Sequence, residues 1–215
     1  MAMAPTVLYQ RSRAVRTRAE ILKRAVDIAS AEGLEGLSIG RLASELEMSK
    51  TGVFAHFGSK EELQLATVNA AKEIFLAEIV TPALKHQPGI SRLSAFLDGW
   101  LSYVERIVFR GGCFFAAASA EFDSRPGVVR DKIVELTRAW VTALEEEVRR
   151  AQKLKQLSRG ASPRQFVFEL HAFVQEANWA FKLFDDKDAF ARAKTAITDR
   201  MARETVVRPE TRSQR

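Results

Sequence analysis

Along most of the chain apolar residues return every three or four positions, the period of a helix with one face turned inward. The pattern starts within residues 15–32, where Ile21, Ala25, Ile28 and Ala29 form a stripe opposite Arg18, Glu20, Lys23, Arg24 and Asp27. Gly33 stands where a left-handed residue ends a helix. Ser38 is an N-cap for a second helix over 39–46, and after a break at Glu47 and Met48, Ser49 caps a third, ending at Phe57. Both are too short to survive alone in water, so they must brace each other, the layout of a helix-turn-helix. Leu42, Leu46, Met48, Val53 and Phe57 are expected to close a small core against Ile21, Ala25 and Ile28, and Ala43 lets the short helices cross closely.

Ser59-Lys60-Glu61-Glu62 reads as a capping box opening a long helix to about Val80. Pro82 and Pro88-Gly89 interrupt the chain. The next helix runs over 91–109 with Leu93, Phe96, Leu97, Trp100, Leu101 and Val104 inward, and Gly111-Gly112 breaks it. Residues 114–122 form a short buried helix. Pro126-Gly127 starts a long one, to about Leu157, on the stripe Val129, Ile133, Leu136, Trp140, Leu144, Val148, Ala151 and Leu154. Ser162 caps an eighth, with Pro163 at its first position. Phe166, Leu170, Phe173, Ala177, Phe181 and Phe184 share one stripe of it, while Val167, Val174 and Trp179 lie off that stripe. Such a helix needs more than one neighbour. A final helix carries Phe190, Ala193, Ile197 and Met201. The expectation is an all-α fold divided at Gly58: residues 1–58 as a basic arm with a three-helix head, 59–204 as a larger helical body, and 205–215 as a disordered polar tail.

Composition agrees with this picture. The 215 residues are 47% hydrophobic and 28% charged, enough apolar mass for a sizeable core, and 11 Gly with 6 Pro are too few for the frequent turns of an all-β fold. Lys and Arg outnumber Asp and Glu by 33 to 27, a net charge of +6 that suits a polyanionic partner. Arg11, Arg13, Arg16 and Arg18 precede the first acidic residue of that region, Glu20, as in an arm that follows a DNA backbone. Cys113 is a single cysteine, which fits a reducing compartment. The first residues lack the apolar core of a signal peptide, and no run of about 18 apolar residues occurs. A cytoplasmic protein without membrane contact is expected.

The stretch from Leu37 to Leu63, LSIGRLASELEMSKTGVFAHFGSKEEL, resembles the DNA-binding module of TetR-type transcriptional regulators. The resemblance covers about the first third of the chain; beyond it only the helix layout agrees. It implies an all-helical homodimer in which the head binds double-stranded operator DNA, the central helices hold a small effector that releases the DNA, and the last two helices pair across the dimer axis. On this basis the DNA-binding candidates are Arg16, Ser38, Arg41, Ser49, Lys50, Thr51, Gly52, Phe54, His56 and Lys60. The effector candidates are Phe96, Trp100, Phe114, Phe115, Phe122 and Trp140. The dimer candidates are Phe166, Leu170, Phe173, Ala177, Phe181, Phe190 and Ile197.

The residue types fit those roles. Phosphate contacts supply affinity and register, and a few side chains at base edges supply sequence preference. A capped helix start at Ser49 attracts an anion, and Lys50 and Thr51 follow on the turn that enters a major groove. Gly52 permits close approach to DNA or is a tolerated glycine in a short helix. Phe54 stands where the family usually carries a phosphate-bonding tyrosine, so its role is apolar, on sugar or in the head's core. Lys60 matches a phosphate-contacting lysine of the family. Arg41 reaches DNA or is solvated, and His56 donates to a phosphate or has no task. Aromatic residues in the body favour an apolar or aromatic effector. Arg110, Glu121, Asp123 and Arg125 either orient it or form surface ion pairs. Cys113 is a thiol sensor or a small buried hydrophobe. His171 is expected as a polar member of the dimer seam. No nucleophile elbow, phosphate-binding loop or metal motif is present, so no catalytic residue, metal or cofactor is assigned. Two other readings stay open: a sequence-tolerant architectural DNA binder, and a helical small-molecule carrier or enzyme whose head has lost DNA binding.

Overall fold

The computed structural model describes residues 5–206, with side chains from Ala14 onward. Nine principal helices are found among the described residues, and no named strand. They are α1 (Pro5–Glu32), α2 (Ile39–Glu45), α3 (Lys50–Phe57), α4 (Lys60–Phe75), α5 (Ile90–Glu105), α6 (Phe114–Phe122), α7 (Val128–Lys153), α8 (Pro163–Phe184) and α9 (Ala189–Glu204). A π-helical turn, Leu76–Val80, and the short Thr81–Ala83 extend α4. No helix of the described residues is long and apolar enough to cross a membrane.

The helices begin where the serine caps place them. Ser38, Ser49, Ser59 and Ser162 each accept the backbone N–H three residues on, from Arg41, Gly52, Glu62 and Gln165. Three boundaries differ from the expectation; α7, expected to run to about Leu157, ends at Lys153, ahead of Lys155 at a positive φ of 57°. α1 starts at Pro5, ten residues before the expected start at Val15, so Arg11, Arg13, Arg16 and Arg18 belong to a helix; the side chains of Arg11 and Arg13 lie outside the described residues. α5 ends at Glu105 rather than near Phe109, because Ile107 takes a positive φ of 53°. That conformation is costly for a β-branched residue and stops the helix. Of the expected tail, Thr205 and Val206 are described and Thr205 bridges to Leu157, while 207–215 lie outside the described residues.

The chain clusters into two compact units. One takes in the chain as far as Leu76 together with Arg106–Thr137, so α4, α6 and the start of α7 group with the three head helices. Its core joins Ile21, Ala25 and Ile28 of α1 to Leu42, Val53 and Phe57, all buried, with Leu46 and Met48 half-buried. The other takes in Ala77–Glu105 and the chain from Arg138. There α8 and α9 pack together, and both contact α5. Phe96, Leu97, Trp100, Leu144, Val148, Leu170 and Val174 fill its interior, whereas Leu154, expected inward, is 48% exposed.

Candidate nucleic-acid interface

The first unit builds a helix pair with one face fixed and one face open. Val53 and Phe57 anchor α3 in the core, and the guanidinium of Arg18 lies over the Phe57 ring at 5.1 Å. Lys50, Thr51, Phe54 and Ala55 are exposed on the other face. Phe54 is 52% exposed, so its ring is outside the head's core and shares a face with Lys50 and Thr51. His56 is half-buried with its ring 6.2 Å from that of Phe57. Gly52 has a structural reason: a Cβ there would lie 3.1 Å from the Ser49 hydroxyl that caps the helix. The Lys50 side chain lies over Gly40 of α2, 3.5 Å from where a Cβ would stand.

Several candidates have partners within the chain. Arg41 pairs with Glu32 at 3.0 Å and Glu45 at 2.6 Å, and Arg24 pairs with Glu45 and with Asp27. This chain of ions ties α2 to α1. The hydrogen bond from Arg41 holds the Glu32 carboxyl below its ordinary range, and the one from Arg24, then Arg41, does so for Glu45. Lys60 donates to Glu35 at 2.7 Å and lowers that carboxyl likewise. Arg16 is exposed.

The aromatic candidates fall into two groups. In the first unit Phe114 stacks edge-on with Phe115 at 5.4 Å and Phe115 with Phe75 at 5.8 Å, while Phe122 is buried beside Arg125. In the second, Trp140 meets Phe96 at 5.4 Å and Trp100 at 5.6 Å. His171, expected at a dimer seam, is half-buried with its ring 4.9 Å from that of Trp100, and burial lowers its pKa. The Trp100 indole N–H is buried without a hydrogen-bond partner.

Of the dimer candidates, Phe166, Leu170, Ala177, Phe190 and Ile197 are buried inside the second unit, covered by the chain itself, and Phe173 and Phe181 are half-buried. The open apolar face of α8 consists of Phe168, Ala172, Trp179 and Leu183, and α9 exposes Ala191, Thr195, Thr198 and Ala202 at helical spacing. Sequence reasoning noted Trp179 only as off the stripe. The signal was there, since a stripe that includes Phe168 and Leu183 repeats at four, seven and four.

Residues 21–67 match the family model described as bacterial regulatory proteins, tetR family. Residues 89–197, half of the chain, match the tetracyclin repressor-like C-terminal domain. The chain belongs to the TetR family. It thus carries a TetR-type N-terminal domain followed by a tetracyclin repressor-like C-terminal domain. A curated relative, the HTH-type transcriptional regulator TcmR of Streptomyces glaucescens, is 27% identical over 154 residues, 71% of this chain. The match spans 62% of that relative's length. A TetR transcriptional regulator from Chloroflexus aurantiacus has the same fold, with a TM-score of 0.83 at 20% identity over 90% of this chain and 98% of that one. AibR, solved in complex with isovaleryl coenzyme A and operator DNA, gives 0.67 at 22% identity over 87% and 98%.

Proposed function

We propose that this TetR-family chain is a cytoplasmic dimeric repressor that holds operator DNA through α3 and releases it when a small, mostly apolar effector binds the body. The observation that carries this reading is the two-faced α3, whose buried Val53 and Phe57 and capped start present Lys50, Thr51 and Phe54 outward on a fixed frame. Ser49, Lys50, His56, Lys60 and Arg16 supply phosphate contacts, Thr51 reads a base edge, and Phe54 packs on sugar. Gly52 keeps the Ser49 cap close, and Ser38 and Arg41 position α2 through their bonds within the chain. Lys60 trades part of its bond to Glu35 for a phosphate, as an ammonium with three donors is able to do.

Two copies join through the open faces of α8 and α9, where Phe168, Trp179 and Leu183 meet small residues of the partner. The effector meets Phe96, Trp100 and Trp140 in one unit or Phe114, Phe115 and Phe122 in the other. An uncharged molecule with a hydrogen-bond acceptor fits the first group, since a buried indole N–H gains by bonding one.

The test is selection of fragments from the source genome by the purified chain at low salt, followed by affinity measurements across a salt series. A selected fragment is expected to bind at least about a thousandfold more tightly than random DNA. Lys50→Ala weakens that binding and lowers the salt slope by about 1. Equal affinity for selected and random DNA overturns the repressor reading in favour of an architectural binder, and no binding at all overturns both.

A further inference from the structure

We infer that Glu121, near the C-terminal end of α6, is a positioning residue for the DNA-binding head: its carboxylate ties the α1–α2 loop to α6 and thereby fixes where α2 begins. The inference rests on the DNA-binding reading above and deepens it.

Glu121 accepts the Leu34 N–H at 2.7 Å with one oxygen and the Glu35 N–H at 2.9 Å with the other. These amides directly follow Gly33, whose φ is +88° and whose Cβ, if present, would stand 2.9 Å from the carboxylate. An acidic residue in the last turn of α6, set against the end of α1, opposes both helix dipoles. Local helix preference therefore does not account for it, and the two amides do.

The loop is held on its other polar groups as well. Gln64 donates to the Leu34 carbonyl at 3.0 Å, and the Glu35 carboxylate meets Lys60 at 2.7 Å, Gln64 at 3.3 Å and Arg125 at 3.7 Å. The segment leading into α6 grips the last turn of α1 too. Arg110 pairs with Asp27 at 2.9 Å, and Gly111 lies so close to the Ser30 carbonyl that a Cβ would overlap it at 1.6 Å. Residues 34–35 are thus where α6 and α4 both take hold, three residues before Ser38 caps α2. Lys60, the expected phosphate ligand, is bonded to that same loop. Phe122, next to Glu121, is buried and faces Arg125.

The test compares the full-length wild type with Glu121→Ala and Glu121→Gln, using a selected genomic fragment for DNA affinity and hydrogen exchange for the Leu34 and Glu35 amides. In Glu121→Ala both amides are expected to exchange at least about tenfold faster, and DNA affinity to fall about tenfold at every salt concentration, because coupling energies have this size and no phosphate contact is lost. Glu121→Gln, which keeps one acceptor oxygen, falls between. Exchange in α8 stays at the wild-type level. Unchanged DNA affinity with freed amides overturns the inference, as does a uniform loss of protection through the chain. If Glu121→Ala does not fold, Glu121→Gln decides, and wild-type affinity in that variant overturns it. Failure of the DNA-binding reading looks different: the wild type itself then selects no fragment.

Discussion

Two carboxylates do similar work in the two units, in different surroundings. Glu121 in the first unit and Glu147 in the second each accept backbone N–H groups at a turn whose glycine has a positive φ, Gly33 at +88° and Gly89 at +96°. Glu147 is 3% exposed, bonds Gly89 at 2.8 Å and pairs with Arg92 at 3.4 Å and Arg150 at 2.9 Å. Glu121 is half-buried and spends both oxygens on backbone amides. A buried carboxylate with compensating cations is a fixture that cannot let go without stranding charges. A carboxylate open to water can exchange its partners for solvent at modest cost. The turn in the second unit is therefore held by charges that would be stranded if they parted, and the turn in the first by bonds that water can replace.

The largest effect expected from this contrast is on Glu147. Glu147→Ala leaves the Gly89 N–H without its acceptor and takes the carboxylate from the Arg92 guanidinium, 14% exposed, which keeps only the His86 and Leu84 carbonyls. A loss of about 3 kcal/mol in denaturant unfolding is expected, from the cost of stranding one member of a buried pair. Glu121→Ala should lose about 1 kcal/mol in the same measurement, the net value of partly solvated hydrogen bonds. Equal losses would erase the distinction between fixture and tie.

The next effect concerns the outside of the second unit. Trp179→Asp places a charge on the open face of α8 and is expected to raise the dimer dissociation constant roughly thirtyfold or more, about 2 kcal/mol for a central aromatic anchor, with the helical signal intact. Phe166→Asp, inside the same unit, should instead unfold it, because a fully buried ring is lost and the shorter side chain leaves a cavity beneath the Arg200 guanidinium that packs on it. Sedimentation and circular dichroism separate the two outcomes. Monomers from Phe166→Asp that remain folded would return the seam to the stripe read from the sequence.

Local signals explain why some features were legible and others were not. Ser38, Ser49, Ser59 and Ser162 declared the helix starts because a cap acts within three residues of itself. The core of the head followed from period and length, since α2 and α3 cannot stand alone. Which stripe of α8 faces inward did not follow, because both Phe166 and Phe168 belong to runs of apolar residues with helical spacing, and only packing on α9 and α5 chooses between them. Glu121 and Leu34 are 87 residues apart, and no local pattern announces a carboxylate that bonds backbone amides at that distance. Arg41 and Lys60 looked open to DNA because their partners Glu32, Glu45 and Glu35 are brought in by the fold. The end of α5 was misplaced because Ile107 adopts a conformation its side chain disfavours.

The smallest expected effect is a difference in acid response between the units. His171, half-buried against Trp100, has its pKa lowered by burial from an ordinary 6.5. Above that pH both the folded and unfolded states carry a neutral ring. As the pH falls below 6.5 the unfolded chain takes up a proton that the fold resists, so stability drops until the folded ring titrates as well. The shifted carboxyls are Glu32, Glu35 and Glu45 in the first unit, held below an ordinary 4.5 by Arg41, Lys60 and Arg24 respectively, and Glu169 in the second, held down by Gln165 and then Arg200. Their contribution is fully present above 4.5 and is lost only as the pH falls through their lowered folded values. Between pH 6.5 and 5 the loss attributable to these groups therefore comes from His171. Urea midpoints at pH 7.5 and 5.5 are expected to fall for the wild type and to converge for His171→Phe, which keeps a ring beside Trp100. A midpoint that rises on acidification would mean that the fold stabilises an imidazolium there, and the second unit would then hold a charge that its aromatic interior is ill suited to keep.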